Sequence, residues 1–440
     1  MRTIDTGLLG SLRPAALKAL SLGLLASGCL VWLAGTAIPD AAQAQQGGFE
    51  KFEPRPVDSA VGADLIAGPH FRLAPTANAA GYLNDFYMSS DFGAFEAGSD
   101  AMLRRLVREI HAIAVLQGIS TSDAFVKALG QSAMGSVRGI QDLVTNPVQS
   151  VQALPTAVFD IFSRVSQSVQ TMASGDKTGY EDSGMAQALQ MSSYKRDYAK
   201  QLGVDVYSRN PVLNKQLDSV AWAAAAGGLT VSAASMASGA AVVTALSAAR
   251  NIDQAQAIVA AEPPAELMIR NTAALQQMGM DPNLAAQFLA QQQFSPRAKT
   301  ILIAALAAMP GTTGKENVLA VALDAPDEVT AILYQQIAEL LNDYDERVAQ
   351  ITRIERFNHL VIARDAGGKV LALLPLDYVI WNERAASAAG EIAKSLQLTP
   401  GSDRFELWIT GTTSARFKTE AAARGIVVKE GIAHQLPLVD

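Results

Sequence analysis

The chain has 440 residues but only one cysteine, Cys29, near its amino terminus. Beyond Cys29 there is no thiol for a disulfide framework, a nucleophile or a zinc site, so stability must come from a buried core. Aromatic residues make up 6% of the sequence and charged residues 18%, whereas hydrophobic residues make up 49%. This composition excludes extensive disorder, and the length is typical of two or three domains.

Basic clusters and histidines are also scarce. The net charge is −7, and no run of lysine and arginine is interleaved with aromatic residues. Nucleic acid is therefore not an expected partner, because its binding requires many phosphates to be neutralised. The four histidines are spaced too widely to form a His-x-x-x-His or Glu-x-x-His pair: His70, His111, His359 and His434. The sequence predicts no metal site.

Nucleotide-binding and acyl-transfer signatures are missing as well. The run from Pro310 to Glu316 suggests a phosphate-binding loop, but Met309 stands where the first glycine is needed and Glu316 where a hydroxyl should hold magnesium. No Gly-x-Ser-x-Gly motif is present. We predict no cofactor and no catalytic residue. An enzyme would instead need polar groups that converge from loop-rich regions: Asp91, Glu96, Tyr180, Glu181 and Asp182.

What the sequence does contain is a secretory signal in its first 44 residues. Arg2, Arg13 and Lys18 form a cationic start, residues 19–37 carry no charge, and Ala42-Gln43-Ala44 is a small-x-small cleavage site. We predict cleavage after Ala44 and an exported protein, in the periplasm or associated with the cell envelope. Cleavage removes three basic and two acidic residues, which changes the net charge to −8.

Two other interpretations of this segment stay open. The run Leu-Ala-Ser-Gly-Cys at 25–29 resembles a lipoprotein processing site, although the apolar stretch continues through residues 30–33 instead of ending at Cys29. The segment could also be retained as a membrane anchor.

Apolar residues at intervals of three and four predict a mainly α-helical protein, with a multihelical bundle over residues 99–353. Helix starts are marked by capping residues or by proline in the first turn: Ser99, Asp123, Asn146, Asn210, Asp281, Ser295 and Asp327. A further helix over 186–202 should end at Gly203. Residues 45–98 are interpreted as a flexible leader followed by an irregular region that packs against the helices.

The pattern changes after residue 353. Two apolar runs joined by a segment with two central glycines predict a β-hairpin, and a helix, a strand, a helix and a strand follow. The predicted elements span 360–363, 370–374, 383–396, 405–410, 414–423 and 426–428. Their ββαβαβ order predicts a small C-terminal α/β domain over residues 354–440.

Two runs resemble a family of exported bacterial proteins of unknown function. Residues 202–213, Leu-Gly-Val-Asp-Val-Tyr-Ser-Arg-Asn-Pro-Val-Leu, together with 222–228, are similar to one run of that family. Residues 406–411, Glu-Leu-Trp-Ile-Thr-Gly, with Gly425 further on, are similar to its tail. The resemblance covers most of the mature chain and implies export, without implying an activity.

The loop after the predicted strand 405–410 is the best candidate for a small-ligand site. Its amides and hydroxyls would lie at a helix N-terminus, where partial positive charge favours anions, and an arginine in the first turn would add to it. The candidate ligand-binding residues are Gly411, Thr412, Thr413, Ser414 and Arg416. The alternative is that Thr413 or Ser414 only caps the helix.

Residues 219–249 form an uncharged stretch longer than the roughly twenty residues that cross a bilayer. Small residues recur four apart in it, a spacing that lets helices approach closely. The candidate membrane or partner contacts are Trp222, Gly227, Gly228, Ser232, Ser235 and Gly239. The alternative is a buried hairpin in a soluble bundle, since alanine, glycine and serine gain little by transfer to lipid. The apolar face over 148–169 has the same two interpretations.

These patterns predict an exported, non-catalytic binding or interaction protein whose apolar helical surfaces contact a protein or lipid partner in the envelope. Two alternatives remain: insertion into a membrane through residues 219–249, and sensing of a small anion by the C-terminal α/β domain. The sequence identifies neither the partner nor the oligomeric state.

Overall fold

The computed structural model describes residues 48–120, 182–225 and 251–438. Three predictions therefore lie outside it: the secretory signal with Cys29, the helices starting at Asp123 and Asn146, and most of segment 219–249. The described residues are 51% helical and 19% strand and contain three sheets. The prediction of a mainly helical bundle with one small α/β domain is wrong, because the N-terminal region also forms a sheet.

This N-terminal region, interpreted from the sequence as irregular, folds into a six-stranded antiparallel sheet. Its strands are β1 (Arg55–Pro56), β2 (Ala67–Gly68), β3 (Phe71–Leu73), β4 (Thr76–Ala80), β5 (Leu83–Ser90) and β6 (Gly93–Ala97). β5 pairs with β3, β4 and β6. In β5, Phe86 and Met88 are buried while Tyr87 between them is exposed, which is the two-residue period of a strand with one face on a core.

Four helices accompany this sheet: α1 (Ala63–Ile66), α2 (Asp100–Ser120), α3 (Asp182–Leu202) and α4 (Pro211–Ala225). α2 packs on β5 and β6, and α4 packs on α2 and α3. The predicted cap of α2 is confirmed, since the N–H of Met102 donates to Ser99 Oγ at 3.1 Å. Leu103 of α2 and Leu213 of α4 meet Phe86 of the sheet in one hydrophobic core.

Six helices lie between residues 251 and 347: α5 (Asn251–Ala261), α6 (Pro264–Gln277), α7 (Pro282–Ala290), α8 (Pro296–Ala307), α9 (Glu316–Ala322) and α10 (Glu328–Arg347). The predicted caps at Asp281, Ser295 and Asp327 are confirmed, because each side chain accepts a backbone N–H of the first turn. α10 packs against α8 and α9. It is buried around almost its whole circumference from Thr330 to Tyr344, so it carries polar side chains into the interior.

The C-terminal elements are β7 (Ile351–Phe357), β8 (Leu360–Asp365), β9 (Val370–Leu374), β10 (Tyr378–Val379), α11 (Glu383–Ser395), β11 (Phe405–Ile409), β12 (Thr412–Thr413), α12 (Ala415–Ala422) and β13 (Ile426–Lys429). Five strands form a sheet in the order β13-β11-β9-β8-β7, and β10 pairs with β12. The predicted hairpin is confirmed by the antiparallel pairing of β8 and β9. β9 and β11 are parallel neighbours, so their carboxyl ends share one edge of the sheet, where open α/β sheets bind ligands.

A second hydrophobic core joins this sheet to α6–α10. The two cores meet at the turn between β4 and β5. Tyr82 and Leu83 belong to the core of the C-terminal sheet, whereas Phe86, three residues further along the same strand, belongs to the N-terminal core. One strand therefore connects both halves of the described structure.

Candidate functional site

The tight turn between β4 and β5 is the first element that positions the candidate site. Gly81 and Tyr82 have φ of 69° and 75°, positive values typical of a two-residue hairpin turn. Such a φ is unusual for a bulky residue, and long-range bonds hold Tyr82 there. Its hydroxyl donates to Asn382 Oδ1 at 2.6 Å. Its carbonyl oxygen accepts the N–H groups of Asp377 at 3.0 Å and Tyr378 at 3.2 Å.

The carboxylate of Asp377 lies in a buried polar cluster that we call the aspartate junction (Asn84, Asp100 and Asp377). Asp377 Oδ2 accepts the backbone N–H groups of Asn84 at 2.9 Å and Asp100 at 3.1 Å. The side-chain amide of Asn84 donates to Asp100 Oδ1 at 2.8 Å and accepts from Arg55 Nη2 at 3.1 Å. The junction thus fixes the start of α2 and the middle of the N-terminal sheet to a residue 293 positions away from Asn84.

Both carboxyl groups of the junction have raised pKa values. Burial raises the pKa of Asp377 well above its ordinary value, the charge of Asp100 raises it further, and N–H donors and Arg104 oppose the rise. Burial also raises the pKa of Asp100, against Asn84, Arg104 and Arg55. Because like charges disfavour each other, the pair retains a proton to higher pH than exposed aspartates do. Perturbed carboxyl groups of this kind cluster at functional sites.

A small open cleft of about 20 Å³ lies beside the junction, where the carboxyl ends of β9 and β11 meet α2 and α10. Five polar side chains line it: Ser99, Arg104, Gln336, Asp377 and Thr410. One is a carboxyl group, one is a guanidinium and three are neutral. The lining of the cleft therefore contains one acidic group, one basic group and three neutral groups that can form hydrogen bonds.

The rest of the cleft lining is largely apolar. α10 supplies Val329, Ile332 and Leu333, whose spacing of three and four places them on one face of the helix. Leu83, Pro375 and Leu438 extend this surface. An apolar wall with a few convergent polar groups is the usual composition of a small-molecule site.

Gly411 fixes the edge of the sheet beside Asp377. A Cβ at Gly411 would lie 2.0 Å from the carbonyl oxygen of Asp377, so a larger residue would force the two segments apart. The N–H of Gly411 donates to the carbonyl of Leu376 at 2.8 Å, and that of Thr412 donates to the carbonyl of Asp377 at 3.0 Å. The predicted ligand-binding residue Gly411 thus positions Asp377 in the cleft wall.

Two other residues of the predicted anion site face carboxylates of the chain itself. The backbone N–H and the hydroxyl of Thr413 both donate to Glu430 Oε1, the hydroxyl at 2.6 Å. Ser414 accepts the N–H of Phe417 at 3.0 Å, which caps α12, and donates its own proton to Glu50 Oε2 at 2.6 Å. The positive end of α12 therefore already holds negative charge, as a helix N-terminus favours.

The remaining predicted residues complete this arrangement. Arg416 donates to the carbonyl oxygen of Gly48, and the side chain of Thr412 is exposed. Burial alone would raise the pKa of Glu430, but hydrogen bonds from Lys418 and Thr413 lower it below its ordinary value. The structure thus brings the predicted loop residues together, with internal carboxylates as their partners. Thr410, one residue before the loop, is the residue that lines the cleft.

The predicted membrane or partner contacts are only partly described. Trp222 is half-buried on α4 and packs against the N-terminal core. The other five lie outside the described residues: Gly227, Gly228, Ser232, Ser235 and Gly239. Within 48–120, 182–225 and 251–438, no helix is both long and apolar enough to cross a bilayer.

The residues considered for an enzyme are divided between the N-terminal sheet and α3. Asp91 pairs with His70 at 2.9 Å on the surface, and Glu96 lies opposite Tyr87 in the pairing of β6 with β5. Asp182 begins α3, while Tyr180 and Glu181 lie outside the described residues. In the part of the chain that is described, no three histidine, cysteine or acidic side chains are grouped so that they could hold a metal ion.

A second set of buried charges, the arginine seam (Arg105, Glu109, Asp205 and Glu328), lies between α2, the loop after α3 and α10. Arg105 is 3.3 Å from Glu109, 3.1 Å from Asp205 and 3.6 Å from Glu328. Glu109 also accepts the hydroxyl of Ser208 at 2.6 Å. The loop belongs to the run 202–213 noted in the sequence. Since each carboxylate faces the guanidinium, we interpret the seam as an internal connection between the cores.

No family model, curated protein or solved structure matches this chain. Function is therefore inferred from the geometry of the site alone.

Sequence reasoning missed the three residues of the aspartate junction. One signal was present: Asp377 follows the apolar run 370–374 by three residues, and a polar residue after a parallel strand is a candidate for ligand binding. The sequence predicts this run as one strand of an antiparallel hairpin, for which no ligand site at the carboxyl end is expected. Nothing in the sequence indicated that Asn84 and Asp100 would meet Asp377 across the fold.

Proposed function

We propose that this chain is an exported, non-catalytic binding protein that holds a small polar molecule in the cleft beside Asp377. The proposal depends on one observation above all. A carboxyl group that is 9% exposed and has a raised pKa is held by two N–H donors at the edge where parallel strands end. Burial of such a group disfavours folding, and a ligand that supplies positive charge or donors would offset this cost.

The described lining of the cleft favours binding over catalysis. It contains no histidine, cysteine or lysine, and Asp377 is its one carboxyl group. Ser99 Oγ caps α2, and the hydroxyl of Thr410 donates to the carbonyl of Leu376 at 3.1 Å. Neither hydroxyl has the adjacent general base that activates a nucleophile.

The alternatives receive less support from the described residues. Contact with a protein or lipid partner through apolar helices, and insertion into a membrane, depend mainly on 148–169 and 219–249, most of which lies outside them. Sensing of a free anion at Gly411–Arg416 would require displacement of Glu50 or Glu430 from the donors they occupy.

Equilibrium dialysis tests the binding proposal. Purified chain 45–440 is dialysed against a small-molecule extract of bacterial cells, and the retained compounds are identified by mass spectrometry. We expect at least one compound to be retained by the wild type and by Asp403→Asn, an exposed control, but not by Asp377→Asn. If no retained compound depends on Asp377, the proposal is wrong. If a retained compound is converted into a product, the non-catalytic part is wrong.

The proposal of export is tested by fractionation. The full chain and a version without residues 1–44 are expressed in a bacterium, and the amino terminus of each is sequenced. We expect the full chain in the periplasmic fraction with Gln45 as its first residue. Lipid on Cys29 would support the lipoprotein alternative, whereas cytoplasmic protein that retains Met1 would contradict export.

A further inference from the structure

The first described residues, 48–52, which we call the strap, contact the C-terminal part of the chain. They form no helix or strand, so individual contacts hold them in place. The backbone N–H of Glu50 donates to the carbonyl oxygen of Trp381 at 2.9 Å. The ring of Phe52 packs edge-on against that of Tyr82, with 5.4 Å between the two centroids. The strap is therefore bound in the manner of a short peptide ligand, through backbone atoms and a few side chains.

The carboxylate of Glu50 makes the strongest of these contacts. Its Oε2 accepts the backbone N–H of Trp381 and the hydroxyl of Ser414, both at 2.6 Å. Trp381 lies just before α11 and Ser414 caps α12, so the positive ends of two helices meet at one carboxylate. Arg416 adds a bond to the carbonyl oxygen of Gly48. Glu50 is 331 and 364 positions away from its two donors, so the contact does not depend on local chain connectivity.

The donors that receive the carboxylate are held by contacts outside the strap. The buried ring of Trp381 lies 6.0 Å from that of Phe417 and 4.6 Å from the guanidinium carbon of Arg424. Ser414 donates its N–H to the carbonyl oxygen of Val379 at 2.8 Å and accepts the N–H of Phe417 at 3.0 Å. These donors therefore keep their positions without the strap, and a surface organised in advance loses little entropy when it binds.

The strap itself is largely exposed. The side chain of Phe49 is 52% exposed, Lys51 is exposed, and Phe52 only borders the core of the C-terminal sheet. Recognition uses one carboxylate, one aromatic ring two residues later, and backbone atoms. Any peptide in which an aromatic residue follows a glutamate by two positions supplies the same groups.

We infer that the surface around Trp381 and Ser414 is a peptide-binding site, which the strap occupies within its own chain and from which a partner protein displaces it. The ligand is a segment of that partner in which an aromatic residue follows a glutamate by two positions. Because the strap belongs to the same chain, its effective concentration at the site is about millimolar, which excludes weakly binding peptides. The site shares no residue with the lining of the cleft, so it does not depend on the proposed function.

Fluorescence anisotropy with a labelled peptide of residues 46–54 tests the site on the purified wild type, Glu50→Ala and Glu53→Ala. We expect Glu50→Ala to bind the peptide at least about tenfold more tightly than the wild type, because the competing carboxylate is gone. Glu53 is an exposed glutamate of the same segment, so Glu53→Ala should bind like the wild type. The same peptide with Glu50→Gln should bind the Glu50→Ala protein at least about tenfold more weakly. Equal binding of the two peptides, or no binding to Glu50→Ala up to about 1 mM, overturns the site.

Proteolysis of the wild type keeps the test decisive if Glu50→Ala fails to fold. An endoproteinase specific for lysine cuts after Lys51 when the strap is released, since unbound exposed segments are preferred sites of cleavage. The peptide of residues 46–54 with Lys51→Arg, which this enzyme does not cut, should accelerate that cleavage, whereas the peptide that also carries Glu50→Gln should not. An unchanged rate means that a peptide does not displace the strap and contradicts the site. Equal acceleration by acetate at the same concentration means that the surface binds a free carboxylate, which also contradicts a peptide site.

Discussion

The aspartate junction and the arginine seam both bury carboxylates where distant segments meet, but they differ in what surrounds the charge. In the seam, three carboxylates face one guanidinium within 3.6 Å. In the junction, two aspartates share the side chain and backbone of one asparagine, and one of them lines an open cleft. Carboxylates that are held by direct ion pairs stabilise an internal contact, whereas a carboxyl pair that is held by amide and backbone N–H donors beside a cleft is suited to a ligand.

The largest expected effect comes from breaking the seam. Arg105→Met removes the guanidinium but retains much of the side-chain volume, so Glu109, Asp205 and Glu328 lose the cation that they share, while Arg209 still lies 3.6 Å from Glu328. We expect the free energy of unfolding to fall by about 3–5 kcal/mol, measured by urea denaturation.

A surface pair provides the control for this variant. Arg353 is 3.0 Å from Glu355, but its side chain is 64% exposed, so Arg353→Met should cost less than about 1 kcal/mol. Equal effects of the two substitutions would show that the seam is no more than a surface contact.

The second largest effect is expected from a substitution at Gly411, whose backbone packs against that of Asp377 in the aspartate junction. Gly411→Ala places a Cβ against the carbonyl of Asp377, and overpacking of this kind should cost about 1–3 kcal/mol. Gly390→Ala is the matched control, because Gly390 is exposed inside α11 with no atom within 4 Å of the added Cβ. We expect it to stabilise by about 0.5–1 kcal/mol. The same sign for both variants in thermal unfolding would contradict the close approach at Gly411.

The pH dependence of stability separates the two regions without a steric change. The folded-state pKa of Asp377 is raised, so its contribution is fully present below the unfolded pKa and is lost as pH rises through the folded value. Wild-type stability should therefore fall as pH rises above the ordinary aspartate value of about 4, and Asp377→Asn should reduce this fall.

Asp85 is the control for that experiment, because burial followed by the charge of Glu96 raises its pKa to about 6. Asp85→Asn should remove only the part of the fall that lies between the ordinary value of 3.8 and about pH 6. If Asp377→Asn leaves the pH profile unchanged, the raised pKa of the junction is wrong.

The smallest expected effect on the free energy of unfolding is at the turn between β4 and β5, where the carbonyl of Tyr82 accepts the N–H of Asp377. Tyr82→Phe removes the hydroxyl that donates to Asn382 and should cost about 1 kcal/mol. Asn382 Oδ1 still accepts the N–H of Ala385, which limits the loss. Tyr87→Phe on the exposed face of β5 is the control and should have no measurable effect on urea denaturation. A larger loss at Tyr87 than at Tyr82 would contradict the account of this turn.

Helix caps and the hairpin could be predicted from the sequence, because the residues that form them lie close together in the chain. Asp281, Ser295 and Asp327 cap helices because the bonds involved span two or three residues. The hairpin of β8 and β9 was predicted for the same reason, since both apolar runs flank one glycine-containing turn.

The N-terminal sheet could not be recognised in this way. β1 and β2 have only two residues each, too few to show a period of two. β4 is Thr-Ala-Asn-Ala-Ala and has no apolar alternation. These strands are specified by pairing, β1 with β4, β4 with β5 and β2 with β3, and none of these pairs is visible in a short window of sequence.

The sequence predicted a site next to the cleft but not the residues that line the cleft. The loop at Gly411 was recognised as a strand-to-helix connection, and the cleft begins at the residue before it. The sequence showed neither the partners of the loop nor the partners of Asp377, because Glu50, Asn84 and Asp100 come from segments about 300 residues away or more. Long-range contacts of this kind require the tertiary fold.

The most direct measurement of the account is a carboxyl-carbon NMR titration of the aspartates, with Asp377 assigned by its absence in Asp377→Asn. The account predicts that Asp377 titrates well above 3.8, its ordinary value, and that a bound ligand lowers this pKa by placing positive charge beside it. A pKa at the ordinary value, or one that does not respond to the ligand retained in dialysis, would contradict it.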